Sequence, residues 1–332
     1  MTALVAQIAP QRSTQYAAIA SALAAPELLL SPLGPDILAL EPVQLGGRVF
    51  LKLELGRAPD ERTLRELGTL AMTSAFFEYY ERVGDEPGPF LRPLDTRFDP
   101  VLPPDLPMTR RYKGKTNELF THFLCNAARF SSRYAHQPWT SLRLFDPLAG
   151  GCTTLFVGLV LGADVAGVEQ SAHAVELAAA FLRQYTREQG IACKVKEERL
   201  RKLGRRWQFA IGKEVVRRCV LAAGDTLESP ALIAGFGKPH LIVADLPYGI
   251  QHEGQVVPLL KEALPVWAGM LQPGGAMALA WESTRLGRSE MLAVAEAVPS
   301  LEVLDAPPYN ALAHRVDRVI KQRDVLVARV RG

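Results

Sequence analysis

The sequence predicts an α/β chain in two parts, a smaller N-terminal α+β module over residues 1–108 and a larger domain over 109–332 built on buried parallel strands. Three observations carry that expectation. Short apolar runs that end abruptly in an acid read as strands buried on both faces: Leu142 to Phe145 before Asp146, Val165 to Val168 before Glu169, and Leu241 to Ala244 before Asp245. Helical periodicity follows the first two, over 155–161 and 173–188. Prolines crowd the stretch between Gly84 and Pro107, where no periodicity survives, and this linker or extended strap puts the boundary near residue 108.

In the N-terminal module, an Ala-rich run over 13–24 reads as a short helix, and Glu27 to Leu30 and Ile37 to Leu40 read as strands. Val49 to Leu55 alternates as a half-buried strand after the turn at Gly46-Gly47. From Glu61 to Arg82, Leu64, Leu67, Leu70, Ala71 and Ala75 recur at helical spacing, and the aromatics Phe76, Phe77, Tyr79 and Tyr80 at its end read mainly as core.

Composition narrows the classes. A chain of 332 residues, 48% hydrophobic and 22% charged, is an ordinary globular protein with length for a buried core. Cys125, Cys152, Cys193 and Cys219 lie 27, 41 and 26 residues apart with no C-x-x-C, which suggests neither a zinc site nor a disulfide framework. The six histidines are scattered singly, so no metal is expected. Met1-Thr2-Ala3-Leu4 has no basic region ahead of an apolar core, and the apolar helical stretches are broken short of a membrane span, so a cytoplasmic location is expected. The net charge of +3 is uneven: residues 1–110 carry 10 Lys/Arg against 14 Asp/Glu, or −4, which leaves 28 against 21, or +7, for 111–332. Positions 194–218 hold ten basic residues against three acids and account for the excess.

The larger domain opens on Tyr112-Lys113-Gly114-Lys115-Thr116-Asn117. Gly114-Lys115-Thr116 imitates the end of a P-loop, but the leading glycine would fall on Thr109 and no strand precedes it, so ATP binding is disfavoured. Thr116 or Asn117 instead caps a helix whose apolar face is Leu119, Phe120, Phe123, Leu124 and Ala127. After the strand ending at Asp146 come Pro147, Leu148, Ala149, Gly150, Gly151, Cys152, Thr153 and Thr154. A glycine-containing turn from strand to helix lets a cofactor approach the backbone and the helix N-terminus. Glu169, at the end of the next strand, is placed to hold ribose hydroxyls. The combination points to a nucleoside-containing cofactor. Asp225, after the strand around Cys219 to Leu221, either faces an adenine amine or caps a helix.

The stretch Asp245-Leu246-Pro247-Tyr248-Gly249 puts a carboxylate at the carboxyl end of a buried strand, where open α/β sheets bind ligands. An exocyclic nucleobase amine is a poor nucleophile because its lone pair is delocalised into the ring. Accepting its two N–H groups through Asp245 and the Leu246 carbonyl would return electron density to nitrogen, Pro247 stiffens the backbone, and Tyr248 would stack on an extruded base. Beyond this motif lie a helix over 256–270, a strand over 277–281, a helix over 289–297 and strands over 301–304 and 324–330. His314, Arg315, Arg318 and Lys321 either touch phosphate or form a solvated face.

On Asp146-Pro147-x-Ala149-Gly150 with Thr153-Thr154, Glu169, Gly224-Asp225 and Asp245-Leu246-Pro247-Tyr248-Gly249, the larger domain resembles the class I S-adenosylmethionine-dependent methyltransferases. Within them it is most similar to the RNA methylases that include the THUMP-associated tRNA guanosine N2-methyltransferases. The resemblance implies a Rossmann-like α/β fold with a seven-stranded, mostly parallel sheet and an antiparallel final strand. It implies S-adenosyl-L-methionine as cofactor, held by Thr116, Asn117, Asp146, Ala149, Gly150, Gly151, Thr153, Glu169, Asp225 and Asp245, with Asp245, Leu246, Pro247 and Tyr248 carrying the target amine. Two positions depart from the pattern: Cys152 stands where the family usually has a second glycine, and Leu246 where many amino-methyltransferases have proline. The N-terminal 110 residues carry no clear match and are too short for a ferredoxin-like plus THUMP pair; a reduced RNA-recognition module is one reading of them.

The leading expectation is therefore an RNA N2-guanosine methyltransferase acting on tRNA, with no membrane and no metal partner. Arg201, Lys202, Arg205 and Arg206 would supply phosphate contacts, interleaved with Trp207 and Phe209 for stacking; the other reading of that segment is a solvated hairpin insertion. The alternatives are a DNA adenine-N6 or cytosine-N4 methyltransferase, which shares the motif logic, and a non-catalytic nucleic-acid-binding relative. A 5-methylcytosine enzyme needs a thiolate nucleophile that no Pro-Cys here offers, and a nicotinamide oxidoreductase would lack G-x-G-x-x-G.

Overall fold

A computed structural model describes residues 2–10, 14–112, 114–247, 256–316 and 321–331, with 14–17 as backbone only. It divides into two compact units, one of Met1–Asp99 with Ala306–Arg323 and one of Pro100–Asp305 with Asp324–Gly332.

The first unit contains β1 (Thr2–Ile8), α1 (Thr14–Leu30), β2 (Ile37–Leu45), β3 (Arg48–Leu55), α2 (Glu61–Leu67), β4 (Thr73–Val83) and β5 (Glu86–Pro93). The strands form one antiparallel sheet in the order β2-β3-β1-β4-β5. Leu4 and Ala6 face Leu53 and Leu51 across the β1–β3 ladder, and Ala6 faces Phe76 on the other side. These side chains share one apolar face.

Three local expectations change here. Residues 27–30 continue the Ala-rich helix through Pro26 instead of forming a strand. Leu28 is buried on that helix, and the buried Glu27 carboxylate accepts the Ala71 and Met72 N–H groups at 3.0 and 2.7 Å. The helix expected over 61–82 ends at Leu67. Its last turn closes on Gly68, where a Cβ would stand 1.8 Å from the Thr96 carbonyl oxygen, and the aromatics that follow take a strand with Phe76 inward. Aromatic runs suit a pleated surface better than a helix. The Pro-rich strap holds an edge strand, β5, whose prolines are tolerated because one side of it has no ladder partner.

The second unit runs α3 (Leu106–Thr109), α4 (Glu118–Ser131), β6 (Arg143–Asp146), α5 (Thr153–Leu161), β7 (Asp164–Glu169), α6 (Ala172–Glu188), β8 (Cys193–Leu200), β9 (Gly204–Ile211), β10 (Arg217–Ala223), α7 (Ser229–Leu232), β11 (Leu241–Asp245), α8 (Val256–Met270), β12 (Ala276–Glu282), α9 (Arg288–Glu296) and β13 (Leu301–Leu304). The short β14 (His314–Arg315) lies in the first unit and pairs with the start of β15 (Gln322–Val330), which then enters the large sheet. His314 is buried, its Nδ1 is 3.0 Å from the Leu312 carbonyl, and burial lowers its pKa to about 4; a phosphate-facing role does not fit it. Arg318 lies outside the described residues.

The sheet order is β13-β15-β12-β11-β6-β7-β10-β9-β8. Neighbours from β12 through β10 are parallel. The Val330 N–H donates to the Gly275 carbonyl at 2.9 Å, which puts the end of β15 beside the start of β12, so the final strand runs antiparallel. These seven strands have the arrangement that the methyltransferase resemblance implies. The basic segment folds as β8 and β9, a hairpin as in the second reading of that segment, and it pairs antiparallel onto β10 and widens the sheet. Trp207 and Phe209 on it are 4% and 2% exposed, so they pack the core and are not stacking platforms. Among the described residues no helix is long and apolar enough to cross a membrane.

Candidate cofactor and base site

Strand order reverses between β6 and β11: the chain continues from β6 toward β7 on one side, while β11 and β12 lie on the other. At such a switch point the flanking connections leave in opposite directions and open a crevice at the carboxyl ends of the strands. Four acids occupy that edge on neighbouring strands: Asp245 at the end of β11, Asp146 at the end of β6, Glu169 at the end of β7, and Asp225 two residues after β10.

The turn after β6 is built by its own backbone. The Ala149 N–H donates to Val168 at 2.8 Å, and the Cys152 N–H to Ala149 at 2.6 Å. Glu169 accepts the Gly150 N–H at 3.0 Å and the Ser171 N–H at 2.8 Å, one on each oxygen. Gly150 has φ +48° and nothing lies within 4 Å of where its Cβ would stand, so the turn is open above this residue. Cys152, in the position of the expected second glycine, takes φ +68° with a buried side chain. That left-handed geometry is the physical reason glycine suits the site. Burial pushes its thiol up to about 12, away from reactivity.

Asp146 is 2% exposed and accepts the Leu148 N–H at 3.0 Å. Burial, reinforced by the Glu169 and Asp245 charges, pushes its carboxyl up to about 7, against the opposing hydrogen bonds of Thr154 and Leu148. Asp225 accepts the Leu227 N–H at 2.9 Å as a cap and remains exposed. Asn117 caps α4 by accepting the Phe120 N–H at 2.9 Å. The Thr116 hydroxyl donates to Asp245 Oδ2 at 2.7 Å. The Leu246 N–H is held by the Ala280 carbonyl at 2.8 Å, and the Leu246 side chain is 1% exposed. Pro247 follows half-buried, and Tyr248 lies outside the described residues.

Two residues that sequence reasoning did not place at the site belong to it. The Tyr112 ring lies on Gly151, where a Cβ would come within 2.0 Å of ring carbon Cζ, and its hydroxyl is 2.6 Å from Thr153 Oγ1 at the start of α5. Arg110 donates to the Gly151 carbonyl and lies 5.0 Å from the centre of the Tyr112 ring. Burial pushes the Tyr112 phenol up to about 12, so it remains a hydroxyl. Gly151 therefore serves an aromatic neighbour from the same unit. Arg110 and Tyr112 had no spacing signature to announce them.

The basic segment splits by partner. Arg205 pairs with Glu176 and Glu197, and Arg206 bonds Glu198 at 2.6 Å and the Ala234 carbonyl at 2.9 Å. Arg201 and Lys202 are exposed in the β8–β9 turn, with Lys202 at φ +62°. Gly204 and Leu203 abut Ala223 and Gly224, so this turn sits at the carboxyl edge of the sheet, next to Asp225.

The acids fit the cofactor that the motifs imply. S-adenosylmethionine presents donors and positive charge: a ribose diol, an adenine amine, an ammonium and a sulfonium. The edge presents acceptors on four adjacent strands beside an open turn. Among the described residues no group of three or more His, Cys, Asp or Glu side chains could hold a metal ion.

No protein-family model matches the sequence, and no curated protein matches it. Among solved structures, the chain is similar to TrmN from Thermus thermophilus at 13% identity and a TM-score of 0.46, over 99% of this chain and 100% of that one. It is similar to the rRNA methyltransferase aviRa from Streptomyces viridochromogenes at 14% identity and 0.43, over 67% and 89%, and to a methyltransferase homolog protein from Pyrococcus horikoshii at 10% and 0.42, over 99% and 87%.

Proposed function

We propose that the chain is an S-adenosylmethionine-dependent N-methyltransferase that acts on an exocyclic amine of a nucleobase, guanosine N2 in tRNA or another RNA. The observation that carries this reading is the pairing, on adjacent strands at the switch point, of the Asp146 glycine turn with Asp245-Leu246-Pro247. A cofactor half and an amine-accepting half then face one crevice.

When bound, S-adenosylmethionine would supply a methyl group on a sulfonium sulfur, with the neutral thioether as the leaving group. Glu169 would receive the ribose hydroxyls, exchanging its hold on the Gly150 and Ser171 N–H groups, and Asp225 is exposed at the position suited to an adenine amine. Asp245 and the Leu246 carbonyl accept the two N–H groups of the target amine, keep its lone pair directed outward, and take up charge as nitrogen becomes cationic; the surplus proton passes to Asp245 or to solvent. The buried Leu246 and its bond to Ala280 hold the backbone of this motif against the sheet. Exposed Arg201 and Lys202 on the rim support an anionic polymer as substrate.

Incubation with methyl-labelled cofactor and, separately, unmodified tRNA and genomic DNA, followed by nucleoside digestion and mass analysis, tests the proposal. N2-methylguanosine from tRNA is expected. Methylated adenine or cytosine from DNA would keep the amine chemistry and overturn the substrate. A chain that binds nucleic acid without binding cofactor would be a non-catalytic relative.

A further inference from the structure

The contact between Thr116 and Asp245 joins residues 129 positions apart, at a distance typical of a hydroxyl donating to a carboxylate. We propose that Thr116 is a positioning residue that fixes the carboxylate of Asp245 for the target amine. The inference rests on the amine-methylating role given to Asp245 above.

The backbone at Asp245 is already set. The residue pairs with Ala280 in the β11–β12 ladder, and the next N–H donates to the Ala280 carbonyl. What the strand leaves open is the orientation of the side chain, and the terminal torsion of an aspartate is broad and roughly two-fold. A hydroxyl at 2.7 Å from Oδ2 selects one orientation of the carboxylate plane.

Thr116 is suited to that task because it is itself held on both sides. Its β-branched side chain is stiff about χ1. Asn117 is tied into the first turn of α4 through the Phe120 N–H, and the Thr121 hydroxyl returns to the Asn117 carbonyl at 3.0 Å. Lys115 donates to the Pro107 carbonyl at 2.7 Å and pairs with Glu118. The helix that follows packs on β11 and β12, the two strands that carry the Asp245 backbone. Donor and acceptor thus rest on packed elements of one compact unit, so the hydrogen bond transmits position.

The test compares Thr116→Val, which keeps shape and loses the hydroxyl, with Thr116→Ser, which keeps the hydroxyl. Cofactor affinity is read by calorimetry, kcat and KM on RNA by methyl transfer, and the Asp245 side chain by crystal structures of both variants. For T116V we expect cofactor affinity and KM within about twofold of the parent and kcat lower by about 10- to 100-fold, the range that small misplacement of a reacting group produces. T116S should recover kcat to within about threefold. An unchanged kcat in T116V, or an equal loss in both variants, overturns the proposal. A T116V protein with weakened cofactor binding and full kcat at saturating cofactor would make Thr116 a cofactor residue and overturn it as well. If the parent protein transfers no methyl to any nucleic acid, the functional reading fails separately. The crystal structures then decide the positioning: a carboxylate turned away in T116V and restored in T116S sustains it, and an unmoved one refutes it.

Discussion

Replacing Asp146 by asparagine should stabilise the protein, by an amount that depends on pH in a specific direction. The folded protein holds the Asp146 carboxyl at about 7, against an ordinary value of 3.8, chiefly because the group is buried. Between those two values the folded state keeps a proton that the unfolded chain releases. Raising the pH through this window therefore favours unfolding, and above about 7 the penalty is constant. At about 1.4 kcal/mol per pH unit, the interval from 3.8 to about 7 corresponds to about 4 kcal/mol as an upper figure. The amide of the D146N variant would be neutral throughout and could still accept one hydrogen bond from the Leu148 N–H or Thr154. Urea unfolding of D146N and parent, measured side by side from pH 4 to 8, should give curves that nearly coincide at pH 4 and separate by about 2 to 4 kcal/mol at pH 7.5. Groups that do not interact with Asp146 cancel in the difference; Glu169 and Asp245, whose charges add to its shift, do not. A difference independent of pH, or one that shrinks as pH rises, would refute the burial of an acid at this point.

Asp245→Ala should abolish methyl transfer while leaving cofactor affinity by calorimetry within a few fold; retained transfer would remove Asp245 from the chemistry. Gly151→Ala drives a Cβ to within 2.0 Å of the Tyr112 ring and should cost about 1–3 kcal/mol. In a Tyr112→Ala background the same change should cost under about 1 kcal/mol, so a double-mutant cycle that shows no coupling would disprove the contact. Neutralising exposed Arg201 and Lys202 together should weaken RNA binding and lower the salt slope by about 1–2, with no change in melting temperature. Arg206→Gln should instead lower stability by about 1 kcal/mol through its lost bonds to Glu198 and Ala234, and a melting temperature equal to the parent's would contradict that assignment.

Much of the larger unit was legible because buried parallel strands are nearly continuous apolar runs, so β6, β7 and β11 announce both themselves and the acids that end them. The turn at Gly150 and the cap at Asn117 were legible for a similar reason, since each is a local requirement met by a residue type. The smaller unit was less legible. An aromatic run after a helix suits continuation and pairing equally until a partner strand is known, and Phe76 was decided by Ala6 of β1. The prolines of β5 suggested an unpaired strap because local chemistry does not say whether a strand lies at an edge.

The sequence by itself determined the strand-to-turn grammar of the larger unit and the residue types at its carboxyl edge, because these follow from periodicity and from short-range backbone needs. Only the tertiary structure decided which of those residues meet. The β8–β9 register sets Glu198 opposite Arg206 and so withdraws that arginine from the exposed charge, while leaving Arg201 and Lys202 at the turn. The packing of α4 against β11 brings Thr116 to Asp245, and Tyr112 comes to lie on Gly151. Contacts of this kind join residues far apart along the chain. They arise from how elements pack, and composition or spacing carries no trace of them.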